Sequence, residues 1–234
     1  MCARYKLTTP TGVIIKDFGI RKGRPNLRAR YNIAPSQMAP VVRIGQEGRE
    51  LSLLRWGLVP SWSKDSRFAA STINARAETV ADKPAFRDAF KARRCLVIAD
   101  GFYEWRTEAG GVKQPILFSR KDAKLMAFAG LWERWEKGTE VVESFTIIVT
   151  AANELISAVH DRMPVIIAPG YFDAWLDTDS HTTANVMPLL RPYPADHMNA
   201  VPVSRKLNSV KNEGPELMVE DEAPLDLFTL KQAR

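Results

Sequence analysis

Short apolar runs broken by Gly, Pro and Asn dominate this chain, and that punctuation limits what it can fold into. Runs of this kind read as many short strands. They fall at residues 41–44, 51–56, 96–99, 116–118, 125–131, 145–150 and 165–167. Helical patterns are fewer. Asp82 is placed to cap a helix with Pro84 in its first turn, running on through Phe86 and Phe90 at i, i+4 spacing. Two more helices are expected over 153–159 and 171–176. Many strands with a few inserted helices give an α+β chain, built on a mostly antiparallel sheet or open barrel with peripheral helices. No repeat or low-complexity linker divides the 234 residues, so one domain over 1–234 is expected.

Composition excludes some classes. Apolar residues make up 45% and charged residues 26%, as in ordinary globular proteins. Lys and Arg number 33 against 27 Asp and Glu, a net charge of +6. Arg21, Lys22, Arg24, Arg28 and Arg30 crowd one early stretch. Glu213, Glu216, Glu220, Asp221, Glu222 and Asp226 load the other end as an acidic tail from about 213, leaving the body more basic than the total. A basic body favours a polyanionic partner, although a solvated surface with an acidic tail has the same charge pattern. No stretch reaches the length of a signal peptide core or a membrane span, and a cytosolic protein without membrane contact is expected. The two cysteines and three histidines lack metal-ligand spacing, so no metal site and no disulfide framework are expected.

Cys2 is the most informative residue. Removal of Met1 would leave an α-amino group and a thiol on one residue, with ordinary pKa values of about 8 and about 8.5. A 1,2-aminothiol condenses with an aldehyde to a five-membered thiazolidine, which a thiol elsewhere in the chain cannot do. A cysteine at position 2 also occurs by chance on a frayed, inert terminus. Cys95 opens an apolar run and reads as a buried structural thiol. Glu104 stands between Tyr103 and Trp105. It is either a carboxyl desolvated by those rings and suited to proton transfer, or an exposed residue alternating with buried aromatics. His160 follows a short helix, whose dipole would favour the imidazolium. It serves either as acid or base or as a structural histidine. His181 and His197 carry no assignment. Trp56 and Trp62, with Asn74 and Arg76 downstream, supply stacking faces, an amide and a cation of the kind single-stranded nucleic acid binding uses; loop tryptophans also anchor cores.

Nine ordered segments carry a resemblance: MCARY, YNIAPSQ from Tyr31, RWGLVPSW from Arg55, NARAET from Asn74, RRCLVIADGFYEW from Arg93, AGLWE from Ala129, FTIIVTAAN from Phe145, HDRMPVII from His160 and VPVSRKLN from Val201. Together they resemble the SOS response-associated peptidase family, also called abasic site processing proteins. The stretch from Ala168 to Ala200 and the acidic tail are least covered. The resemblance implies a single mixed-β domain with a basic groove for single-stranded DNA, and no cofactor is expected. It implies that Cys2 is the nucleophile toward the ring-opened aldehyde of an abasic site. Asn74 would orient the terminus or the sugar, Glu104 would act as acid/base, and His160 would assist proton transfer. Arg4 and Arg76 would hold phosphates, Trp62 would pack near the strand, and Thr150 would add a hydrogen bond. A monomer and a lyase side reaction, by β-elimination from an unclosed imine, are further expectations. Two other readings remain: a cysteine peptidase acting through Cys2, His160 and Glu104, at least on itself, and a non-covalent single-strand binding module.

Overall fold

A computed structural model of the protein describes residues 2–23 and 25–219. Its strands in chain order are β1 (Tyr5–Leu7), β2 (Arg30–Ile33), β3 (Met38–Gly45), β4 (Gly48–Trp56), β5 (Asn74–Arg76), β6 (Arg94–Ala99), β7 (Gly101–Thr107), β8 (Lys113–Arg120), β9 (Met126–Lys137), β10 (Glu140–Ala151), β11 (Arg162–Pro164) and β12 (Met198–Pro202). The helices are α1 (Thr11–Phe18), α2 (Arg87–Ala92), α3 (Glu154–Ser157), α4 (Phe172–Leu176) and α5 (Thr183–Val186). The α+β, mostly antiparallel architecture expected from the sequence is present.

Five strands close into a ring in the order β10-β4-β3-β6-β9-β10. Closure comes from the long β9–β10 hairpin, paired from Glu140↔Lys137 to Ile147↔Gly130, and from a short parallel contact at Ser144↔Arg55 and Phe145↔Trp56. A closed ring leaves no open barrel edge, so backbone donors and acceptors pair within it. All six β6 residues are buried. A strand covered on both faces reads as a continuous apolar run, which is why CLVIA stood out in the sequence. Arg94 is the exception in that run. Its guanidinium donates to the carbonyls of Phe90 (3.1 Å), Asp177 (2.9 Å) and His181 (2.8 Å), which accounts for its burial.

The second sheet has the order β12-β8-β7-β1-β2. It packs on the barrel through an aromatic seam. Tyr5 lies 5.2 Å from Trp56 and 6.0 Å from Phe128, while Phe102 lies 5.4 Å from Phe118 and 6.0 Å from Phe128, centroid to centroid. All these rings are fully buried, and each such side chain stabilises the fold by ~2–3 kcal/mol relative to exposure. The chain crosses between sheets at Asp100. Its carboxylate accepts from the hydroxyls of Thr8 and Thr9, each at 2.6 Å. The Asp100-Gly101 pair is therefore a corner between two sheets. At Gly101 a Cβ would stand 2.6 Å from the Phe118 carbonyl oxygen, so the corner requires glycine.

The structure departs from the sequence expectations in four places. The strand sits at Arg162–Pro164, and residues 165–167 form only an isolated bridge, Phe128↔Ile166. That run instead crosses between two strands: Val165 N donates to Ile148 on β10, and Ala129 on β9 donates to Val165. Buried crossing segments and strands have the same apolar signature. The helix expected after Asp82 begins only at Arg87, with Phe86 at the N-cap. Pro84 biases Lys83 away from helical geometry, which delays the start. α1 escaped the sequence reading. Pro10 precedes it, Gly19 ends it at φ 60°, and Ile14 and Phe18 bury its inner face. Finally, Glu213 is not free tail. It pairs with Arg30 at 2.8 Å and accepts from the amides of Tyr31 and Asn32, capping the edge of β2. Arg24 and the tail residues from 220 onward lie outside the described residues.

Candidate functional site

The end of β10 outlasts the barrel and carries a strand on each side. β5 pairs with it in parallel, Ile147↔Asn74 to Val149↔Arg76. On the other edge β11 pairs antiparallel, Val149↔Pro164 to Ala151↔Arg162. This overhang brings NARAET and HDRMP to opposite sides of one strand. α3 feeds into it: Asn153 caps the helix by accepting from Ile156 N at 3.0 Å, and His160 N donates to Ile156 O at 2.9 Å.

The chain's first residues enter from the second sheet. β1 pairs antiparallel with β7 at Tyr5↔Phe102, and Tyr103 N extends the ladder to Arg4 O at 3.0 Å. Cys2 is thereby drawn toward Glu104. The Cys2 carbonyl accepts from Asn74 Nδ2 at 2.8 Å. Its thiol is fully buried and pushed well above the usual range, first by burial and then by the charge of Glu104.

Glu104 is 3% exposed. Burial raises its carboxyl to about 7, Asp161 adds to the rise, and the charge of the chain's amino terminus opposes it. From sequence, desolvation by Tyr103 and Trp105 is one of two alternatives; the structure shows a buried carboxyl but a different reason. Successive strand residues face opposite ways. Tyr103 packs on the other face with Val203, Leu207 and Leu217, and Trp105 joins that cluster. Glu104 shares the inner face with Phe102, one step along from the aromatic seam. Among the described residues, Glu104 Oε1 and Asn74 Oδ1 are buried without a hydrogen-bond partner. Buried unpaired oxygens are uncommon and mark places where a structure holds polar capacity in reserve.

His160 Nδ1 accepts from Arg162 N and lies near Asp161 Oδ1, both at 3.0 Å. In the neutral ring this arrangement puts the proton on Nε2. Its pKa is lowered, first by burial and then by the amino-terminal charge, with Asp161 opposing. The helix-dipole expectation of a stabilised imidazolium fails because desolvation outweighs the field of a single-turn helix. Asp161 and Arg162 were not singled out from sequence. Their signal was adjacency: both follow His160 directly, and Arg162 pairs with Glu78 of NARAET.

The expected DNA contacts are placed unevenly. Trp62 is 53% exposed, edge-on to Phe68 at 5.5 Å, and lines a surface hollow with Lys64 and Arg67. Arg76 is exposed at the end of β5. Arg4 is half-buried and donates to Asn32 Oδ1 (2.7 Å) and Leu207 O (3.0 Å). Thr150 is buried, its hydroxyl turned to Leu190 O at 3.4 Å. No cluster of three or more potential metal ligands occurs among the described residues.

The Cys2 thiol, an amide on its carbonyl and a carboxyl near neutrality stand together here, and the segments that carry them define the class of the chain. Residues 1–210 match the family model described as SOS response associated peptidase (SRAP). The chain belongs to the SRAP family. Its relatives include the abasic site processing protein YoqW of Bacillus subtilis, 41% identical over 93% of this chain and 99% of that protein. The abasic site processing protein HMCES of Gallus gallus is 33% identical over 92% of this chain and 71% of that protein. A crystal structure of a Bacteroides thetaiotaomicron protein superposes with a TM-score of 0.83 at 26% identity, covering 94% of this chain and all of the other.

Proposed function

We propose that this protein senses abasic sites in single-stranded DNA and couples to them covalently through the mature Cys2. The observation that carries this reading is the grip of Asn74 on the Cys2 carbonyl beside a buried Glu104 with a pKa of about 7. The names of the family's relatives supply the lesion.

The chemistry balances without a cofactor. With Met1 removed, the Cys2 amine attacks the aldehyde carbon of the ring-opened sugar and forms a carbinolamine. Loss of water gives an imine. The thiol sulfur then adds to the imine carbon and its proton passes to nitrogen, closing the thiazolidine. A carboxyl titrating near neutrality can both take and return protons in these steps. The unpartnered Glu104 and Asn74 oxygens are suited to bind the sugar hydroxyls or the departing water. Holding amine, thiol and carboxyl together replaces a high reactant concentration. Trp62, Lys64, Arg67 and Arg76 provide stacking and phosphate contacts for the strand, so affinity should fall with salt and depend little on sequence.

The peptidase reading is less well supported. A cysteine peptidase needs a thiol activated toward thiolate, whereas burial and Glu104 hold the Cys2 thiol protonated.

The test is a denaturing gel of the protein incubated with a single strand carrying one abasic site, beside an intact strand. A slow band with the abasic strand alone supports the proposal. Binding without such a band, with Met1 verifiably absent, contradicts it and favours the non-covalent module.

A further inference from the structure

Two further segments of the chain, YNIAPSQ from Tyr31 and VPVSRKLN from Val201, take no part in the chemistry above, yet the fold joins them at Arg4, two residues from Cys2. Cys2, Ala3 and Arg4 precede β1 and belong to no strand. Besides Asn74, their fixed points are the Arg4 carbonyl, bonded by Tyr103 N, and the Arg4 guanidinium. That guanidinium is clamped. Nη1 donates to Asn32 Oδ1 at 2.7 Å and Leu207 O at 3.0 Å, and the group lies 5.5 Å from the Trp105 ring centroid. Trp105 is itself fixed by donating to Asn208 Oδ1 at 2.7 Å.

Asn32 is the centre of this arrangement. It is 1% exposed and sits on β2 beside β1. While Oδ1 accepts from Arg4, Nδ2 donates to Ser209 O at 3.0 Å and Asn212 O at 2.9 Å. One amide thus ties the N-terminal segment to a C-terminal segment. Both amide protons are used and both go to carbonyls, so a carboxylate could replace only half of the role.

We propose that Asn32 is a positioning residue for Cys2, acting through Arg4 and the segment from Leu207 to Asn212. The role rests on the reading that Cys2 couples to abasic sites. Arg4 is two residues from Cys2, so a tilt of the Arg4 backbone moves the amine and thiol relative to Glu104 and Asn74. Displacements of about 1 Å in reacting groups cost rate by ~10²-fold. Asn32 touches no reacting atom, so its loss should leave strand affinity alone.

The experiment is single-turnover coupling of the Met1-processed protein to an abasic single strand at saturating concentration, with binding of an intact strand measured in parallel. Asn32→Ala is expected to lower the coupling rate constant by at least ~10-fold, and Asn32→Asp, which keeps the Arg4 acceptor, by only ~3-fold. Intact-strand affinity should stay within ~2-fold in both. A purely structural role would reduce the reactive fraction at an unchanged rate constant, and that result overturns the proposal. Rate constants within ~2-fold of wild type in both variants also overturn it. If Asn32→Ala does not fold, Asn32→Asp decides by the same criterion. A wild-type chain that forms no adduct overturns the functional reading, and this role with it. A coupling wild type beside unchanged variants overturns the positioning role alone.

Discussion

Cys2 and Cys95 are both fully buried, and burial pushes both thiols up. Their surroundings differ. Cys95 lies within β6, faces Gly130 closely enough that a Cβ there would stand 2.9 Å from its sulfur, and its carbonyl accepts from Trp175 Nε1 at 2.8 Å. Its backbone is paired within the barrel. Cys2 lies beside a carboxyl and an amide, each with a buried oxygen lacking a partner among the described residues. Burial alone therefore does not distinguish the two thiols. The proposed reactivity of Cys2 rests instead on the carboxyl and the amide beside it.

The contrast can be broken by substitution. Cys2→Ala should abolish the heat-stable adduct, a loss of more than ~10³-fold in coupling, because ring closure needs this sulfur. Cys95→Ala should couple at the wild-type rate while costing ~1–2 kcal/mol in urea unfolding through the small cavity left behind. Equal losses of coupling in the two variants would erase the distinction. Glu104→Gln should slow single-turnover coupling by ~10²-fold, since the amide cannot exchange the protons. Asn74→Ala should slow it by ~10-fold, through loss of the hold on the Cys2 carbonyl.

A smaller effect sharpens the same contrast. In the folded protein Glu104 resists ionisation until about pH 7, against 4.5 for an ordinary Glu. A raised folded pKa gives a contribution fully present below the unfolded value and lost as pH rises through the folded one. Wild type should lose up to ~3 kcal/mol relative to Glu104→Gln between about pH 4.5 and pH 8. Urea unfolding at the two ends of that range measures it. Parallel stability profiles would mean that Glu104 is not held neutral by its surroundings. No such pH-dependent gain is expected for a substitution at Cys95, whose thiol stays protonated across the range.

Much of the barrel was legible because its strands are bounded apolar runs, and β6 above all because it is covered on both faces. The run at 165–167 misled because a buried crossing segment has the same composition as a strand. α1 was missed because Ile14 and Phe18 were not read as one helical face between Pro10 and Gly19. The candidate site was legible in Cys2, Asn74, Glu104 and His160 through their motifs, but the physical causes of its pKa shifts were not. The desolvation of Glu104 comes from the inner face of β7 and not from its sequence neighbours. The lowered pKa of His160 depends on burial that no local pattern reveals. Asn32 could not be found from sequence, because its partners lie 28, 177 and 180 residues away.

The central claim is that the reactive thiol is Cys2. The direct measurement is digestion of the protein–DNA adduct and mass mapping of the DNA-bearing peptide. The account predicts a single modified peptide beginning at Cys2, with Met1 absent and a mass equal to the peptide plus the abasic fragment less one water. Attachment at Cys95, at a lysine, or at a chain still carrying Met1 would contradict it.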